Sequence, residues 1–335
     1  MPTPSPFDPE LGLLLTAAPP EHTRTLTPEG IPALAAASSQ PTPNNEFIGT
    51  RSIQATDYTI PGYQGAEIGV TVFARKDRKP SANAPAFYHI HGGGMVMGHR
   101  LLGADFILKY VEQFDGVLAT VEYRLAPQHP YPVPVEDCYA GLVWLAAQGE
   151  KLGFNPKRIM IIGSSAGAGL AAGVALLARD RSGPSLAWQL LSEPMLDDRN
   201  ATLSCRQYEH TGAWNAHSNQ TGWGAYLGDK LGGPDVPIYA APGRAIGTKE
   251  GLAGLPPAYI EMGSAQSLRD DAVDYANGIW AAGGEADLHV WAGGFHGFTF
   301  WGTPRLTVEA VTTRHNWVRR MLEWDAASGT FGTKW

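Results

Sequence analysis

The sequence predicts an α/β fold: a single domain over residues 1–335, with a mostly parallel central sheet flanked by helices and topped by a cap. Three observations predict it. Beyond about residue 50, strand-like runs alternate with helix-like runs, as in a sheet with helices on both faces. Several strand-like runs are apolar almost throughout, as strands covered on both sides are. One long stretch, about residues 195–245, breaks the rhythm. It carries Tyr208, Trp214, Trp223, Tyr226 and Tyr239 among many Gly, Asn and Pro residues.

The expected strands are Glu67–Arg75, Ala86–His91, Gly116–Arg124, Arg158–Gly163, Leu186–Glu193, Pro257–Gly263 and Ala286–Trp291. Each is short, β-branched or aromatic, and bounded by Gly, Pro or Asn. The expected helices are Val135–Leu152, Ala166–Asp180, Leu268–Ala282 and Pro304–Trp324; the last two show the 3.6-residue period. Ala166–Asp180 is small and apolar, which suits tight packing on the sheet. The Pro-, Ser- and Ala-rich residues 1 to about 50 and the 195–245 stretch are expected to form the cap, because so many large rings need something to cover.

Composition narrows the function. The hydrophobic content of 44% and charged content of 17% are those of an ordinary globular protein. A net charge of −7 gives no reason to expect a nucleic-acid partner. No uncharged apolar stretch reaches the roughly 18 residues of a membrane span, and Met1 to Pro6 lack the basic start and apolar core of a signal peptide. A cytoplasmic location is the default expectation. Two cysteines, Cys138 and Cys205, allow at most one disulfide.

Three motifs carry chemistry. Arg158–Ile162 runs as a strand into Gly163-Ser164-Ser165-Ala166-Gly167 and then a helix. This context turns a weak G-x-S-x-G pattern into a nucleophile elbow, with Ser165 exposed above the sheet. His91-Gly92-Gly93-Gly94 also follows a strand, and its bare backbone can aim N–H groups at a substrate oxygen. Gly93 and Gly94 are the expected donors, joined by Ala166 at the positive end of the following helix. His296, in Gly293-Gly294-Phe295-His296-Gly297-Phe298, lies just after the last strand and is the expected general base.

With Tyr123-Arg124-Leu125-Ala126-Pro127, His129-Pro130 and Glu136-Asp137-Cys138 added, the chain resembles the hormone-sensitive-lipase-like branch of the α/β-hydrolases over roughly residues 60–325. The resemblance implies hydrolysis of carboxylic esters with short acyl chains or of small lactones, through an acyl-serine intermediate, without metal or cofactor. It also implies a cap and, as in many relatives, a possible homodimer.

Two positions depart from that pattern. Ser164 stands where many relatives carry Asp, and Gln266 stands in the slot of the triad acid. A glutamine can accept a hydrogen bond from the imidazole but supplies no charge, and in a serine-protease triad an amide in that place costs about four orders of magnitude in kcat. Asp270 is the alternative acid, followed by Asp271, although the family pattern makes Asp270 a helix residue. On this reading Gln266→Glu raises ester hydrolysis by at least about tenfold.

Other readings stay open at this point. A lyase or cyclase could use the same pocket with a weaker base, and a small-molecule receptor could keep the cap and pocket. Gly167-Ala168-Gly169-Leu170-Ala171-Ala172 matches a dinucleotide fingerprint, with Glu193 as its ribose contact. His89 and His91 share a strand face, yet no further residue completes a metal set. Trp291, Phe298 and Trp301 are candidates to line a substrate pocket, though core packing is the commoner role for such rings.

Overall fold

The computed structural model describes residues 2–20, 23–38, 44–79, 81, 83–249, 251–325 and 330–331. Parts of the expected N-terminal cap segment, residues 1, 21–22 and 39–43, therefore lie outside the described residues. Among those described, the strands of the main sheet are β1 (Ile53–Pro61), β2 (Glu67–Arg75), β3 (Ala86–Ile90), β4 (Val117–Glu122), β5 (Ile159–Ser164), β6 (Trp188–Ser192), β7 (Ala258–Gly263) and β8 (Ala286–Trp291). The helices are α1 (Pro9–Ala17), α2 (Ile31–Ser38), α3 (Asn44–Ile48), α4 (Asp105–Phe114), α5 (Val133–Ala147), α6 (Gly149–Leu152), α7 (Ala166–Asp180), α8 (Leu203–Gln207), α9 (Ala216–Leu227), α10 (Arg269–Ala281) and α11 (Arg305–Glu323).

The sheet runs β1-β2-β4-β3-β5-β6-β7-β8. β2 is antiparallel to both neighbours, and every other pair is parallel. Parallel neighbours require crossovers, and the helices between them supply the cover on both faces. Side chains alternate accordingly. Tyr88, Ile161, Leu191 and Ile260 face a core shared with α5, α7 and α10. Phe87, Met160, Ile162, Leu190 and Tyr259 face a second core with α4 and α11. This is why the central strands read as apolar throughout.

β1 and α4 are additions to the sequence reading. β1 is an edge strand with only Ile53 and Ile60 buried, so it carries no clear hydrophobic alternation. α4 buries Ile107, Leu108, Tyr110 and Val111. The 195–245 insertion holds α8, α9 and short 3₁₀ turns, with no strand among its described residues. Both cysteines are buried and unpaired. Among the described residues no helix is long and apolar enough to cross a membrane.

Register decides where chemistry can occur. Ile90 pairs with Gly163, Ser164 with Ser192, and Gly263 with Trp291. The last residues of β3, β5, β6, β7 and β8 therefore end along one edge. The loops that follow them carry Gly92–Gly94, Ser165, Glu193, Gln266 and His296. Ligand sites of open parallel sheets lie at this carboxyl edge.

α7 explains its own composition. Thirteen of its fifteen residues are buried, so no face is left for solvent. A Cβ on Gly169 would stand 2.0 Å from the Met195 carbonyl oxygen, and one on Gly173 would stand 2.4 Å from that of Tyr239. Only glycine admits the insertion's backbone at that distance.

Candidate active site

Ser165 sits between β5 and α7 with φ 56° and ψ −122°, a conformation disfavoured for an L-residue. The turn closes because Gly163 and Gly167 lack side chains. A Cβ on Gly163 would fall 2.3 Å from the Gly167 oxygen, and one on Gly167 would fall 2.2 Å from the Ile90 oxygen. The Ser165 N–H donates to the Ser192 carbonyl at 2.8 Å, tying the elbow to the end of β6. The result is a strained, half-buried serine whose hydroxyl projects from the sheet edge.

Beside it runs the glycine loop after β3. A Cβ on Gly92 would lie 3.3 Å from the Ser165 Cβ, so this loop passes directly against the elbow. Gly93 and Gly94 adopt φ 111° and φ 61°. Val96 and Met97 both donate to the Gly93 carbonyl, which fixes the turn. Among the described residues, the N–H groups of Gly93, Gly94 and Ala166 meet no protein acceptor. The Tyr123–Pro127 segment braces this loop from behind. The Tyr123 hydroxyl donates to the His91 carbonyl at 2.9 Å, and the Ala126 N–H donates to that of Met95. Arg124 is held in turn by buried Asp137.

His296 meets Ser165 from the loop after β8. Its Nε2 lies 2.9 Å from Ser165 Oγ, and its Nδ1 lies 2.7 Å from Gln266 Oε1. Gln266 Nε2 donates at 3.0 Å to Glu193 Oε1, while Glu193 Oε2 accepts the Gly297 N–H. Burial lowers the His296 pKa to about 4, keeping the imidazole neutral over the physiological range. Burial pushes Glu193 up to about 8, against the Gly297 and Gln266 hydrogen bonds that favour its charged form.

A description of the alpha/beta hydrolase fold matches residues 87–300, spanning the glycine loop, the elbow and the histidine loop. The chain belongs to the α/β-hydrolase family. Within it, the features above place it in the hormone-sensitive-lipase-like branch. It is 35% identical to esterase LipI of Mycobacterium tuberculosis, over 71% of this chain and 72% of that one. Among solved structures it is similar to a bacterial heroin esterase, with TM-score 0.83 and 33% identity over 94% of this chain and 98% of that one. Esterase LipW of Mycobacterium marinum superposes with TM-score 0.79 at 27% identity, over 95% and 98% of the two chains. The protein is an enzyme of the hydrolase kind.

The other residues singled out in the sequence lie apart from the Ser165–His296 contact. Asp270 does not face His296. Its carboxyl accepts from the Ser204 N–H at 2.7 Å and from Arg269 Nε at 2.8 Å. Asp271 is buried on α10 with Oδ2 unpartnered. Phe298 is buried against Leu11 and Leu15 of α1, and Trp291 and Trp301 pack on the same cluster, so these rings are core rather than pocket wall. The backbone contacts of Gly167 and Gly169 fill the space a pyrophosphate would need, which removes the dinucleotide reading. His91 turns Nδ1 onto the Gly92 carbonyl and stacks on Tyr123. The described cluster with metal-ligand spacing is instead Glu209, His210 and His217, on the insertion. A cleft of about 880 Å³ between the insertion and α10 does not include Ser165.

Glu193 is the residue that motif reading misses here, as the partner of Gln266 and of the Gly297 N–H. One signal marks it: a lone carboxylate at the end of the buried run Leu190-Leu191-Ser192, beside the elbow in sheet order.

Proposed function

We propose that this hydrolase cleaves small carboxylic esters, lactones included, through an acyl-enzyme on Ser165. The observation that carries the proposal is the continuous contact from Ser165 Oγ through His296 to Gln266, beside three N–H groups free to bind an oxyanion. The Ser165 hydroxyl donates to neutral His296 Nε2. As Oγ attacks the ester carbonyl carbon, His296 takes the proton and the carbonyl oxygen becomes an oxyanion. The N–H groups of Gly93, Gly94 and Ala166 receive it, a type of contact worth roughly 3–4 kcal/mol per donor. Collapse expels the alcohol oxygen, which takes the proton from His296 Nε2 and leaves the acyl group on Ser165. Water, deprotonated by His296, then releases the acid.

The cap assignment and the small acyl group rest on the same contacts. Trp214 of the insertion reaches over the glycine loop, so that a Cβ on Gly94 would lie 2.6 Å from its ring, and its centroid is 6.3 Å from that of His296. The N-terminal segment binds to the insertion: the Leu26 N–H donates to Ser218 Oγ, Thr221 Oγ1 to the Leu26 carbonyl, and the Tyr208 hydroxyl to the Ser5 carbonyl. Together these segments narrow the approach to Ser165.

The test is direct. Ser165→Ala is expected to lower kcat on p-nitrophenyl acetate by at least about 10³-fold. A fluorophosphonate probe should label the parent and not the variant, and acetyl or butyryl esters should surpass decanoyl esters in kcat/KM. Undiminished turnover by Ser165→Ala overturns the serine route. An unlabelled Ser165 together with a tightly held, unmodified ligand is the outcome expected of a receptor-like relative.

A further inference from the structure

The contact chain does not stop at Gln266. We propose that Glu193 is the acid of this site and acts as a positioning residue, orienting and polarising His296 through the side-chain amide of Gln266. This rests on the reading of Ser165 and His296 as nucleophile and base.

Gln266 is 2% exposed and bonded on both sides, so its orientation is set by its partners. His296 must carry its proton on Nδ1 for Nε2 to accept from Ser165, so Gln266 must present oxygen to it. Its NH2 then faces Glu193 Oε1 at 3.0 Å. Glu193 also has to accept the Gly297 N–H on its other oxygen. A carboxylate is the one side-chain head group of this shape that accepts at both ends.

Glu193 is itself fixed. It stands at φ 51° directly after β6, where its N–H donates to the Glu261 carbonyl at 2.8 Å, and it is 1% exposed. The charged groups around it come from two further elements. Glu261 on β7 opposes its ionisation, and Arg314 on α11 favours it. These two form a buried pair at 2.9 Å, with Ser192 Oγ also donating to Glu261. Neutral His296 faces it beyond Gln266.

Protonation of Glu193 removes one of its two acceptor positions. A proton on Oε1 would oppose the Gln266 NH2, and the amide would relax by turning over. It would then present NH2 to His296 Nδ1 and select the Nε2–H tautomer, which cannot accept from Ser165. The base is therefore available when Glu193 is ionised and is lost as the pH falls through its elevated pKa of about 8, well above the low value of about 4 at His296.

Glu193→Gln imposes the turned-over state at every pH. The new amide must give its oxygen to Gly297 and its NH2 to Gln266, which forces the Gln266 NH2 onto His296. The exchanged pair Glu193→Gln with Gln266→Glu satisfies every partner again, with a carboxylate now directly on His296 Nδ1.

The experiment compares the parent, Glu193→Gln, the exchanged pair and Ser165→Ala as full-length chains, measuring kcat and KM on p-nitrophenyl acetate from pH 5 to 10. Circular dichroism verifies that each is folded. The expected results are a parent profile rising through about pH 8 and a Glu193→Gln kcat at least about tenfold below the parent at pH 9, with KM little changed and no such rise. The exchanged pair should exceed Glu193→Gln by at least about tenfold. A Glu193→Gln enzyme that keeps the parent's kcat and profile overturns the proposal, as does an exchanged pair with no gain over the single variant. If Ser165→Ala abolishes turnover in either case, the nucleophile reading survives and only the role of Glu193 falls. Full turnover by Ser165→Ala rejects both.

Discussion

Gln266 stands 2.7 Å from the imidazole of His296 on one side and 3.0 Å from the carboxyl of Glu193 on the other. Replacing it alone by glutamate brings two carboxyls together, and such a pair holds one proton between them. Protonated Glu193 would donate to Glu at 266, which would then carry its charge directly against His296. The expected gain of Gln266→Glu is accordingly largest below pH 8, at least about tenfold at pH 7, and narrows towards pH 9 as the parent's own Glu193 ionises. Steady-state kcat/KM at the two pH values checks this; an equal gain at both would show that Glu193 contributes no charge to the parent. Ser165, His296, the glycine loop and the departure at Gln266 were legible because each is a local pattern at a strand end. Glu193 was not. Its partners lie 73 and 104 positions away in sequence, and only the side-by-side order of β6, β7 and β8 brings them together.

At the level of elements, α1 braces the histidine loop. Leu11 is fully buried against the ring cluster of Phe295 and Phe298, which bracket His296, and the Asp8 N–H donates to the Gly293 carbonyl at 2.9 Å. Asp8 caps the same helix by accepting from the N–H groups of Glu10 and Leu11. Leu11→Ala leaves a cavity there costing about 2–5 kcal/mol. It is expected to speed hydrogen exchange at residues 293–298 and to lower kcat more than it raises KM. Unaltered exchange in that segment would mean that α1 does not hold the loop. Of the elements themselves, the parallel core strands and α7, α10 and α11 were readable, since two-sided burial leaves long apolar runs and amphipathic helices leave a period. β1 was hidden because an edge strand with two buried residues carries almost no pattern. α4 did carry a readable signal, since Ile107, Leu108, Tyr110 and Val111 recur at helical spacing on one buried face.

Across the whole molecule, the sheet gathers titratable groups into its interior, and they pull in opposite directions. Burial lowers His89 and His91 to about 3 and His296 to about 4, so the folded chain releases protons the unfolded chain still holds up to about pH 6.5. Stability therefore rises with pH across that range. Glu193, pushed up to about 8, and Asp271, raised by burial beside Asp197 and Asp270, do the reverse. They keep protons that the unfolded chain has lost above about 4.5, and stability falls as pH rises through their folded values, by up to about 1.4 kcal/mol per pH unit for each group. Above pH 6.5 the histidine contributions are level while that of Glu193 continues to about pH 8. Urea unfolding should thus show maximum stability near pH 6.5 and a decline to pH 8; a flat or rising curve there would contradict the buried-carboxyl account. The strained turn after β6 then acquires a thermodynamic meaning. The carboxyl it holds in the interior is ionised at the expense of the folded state, so the conditions that arm the histidine are those under which the protein is less resistant to unfolding.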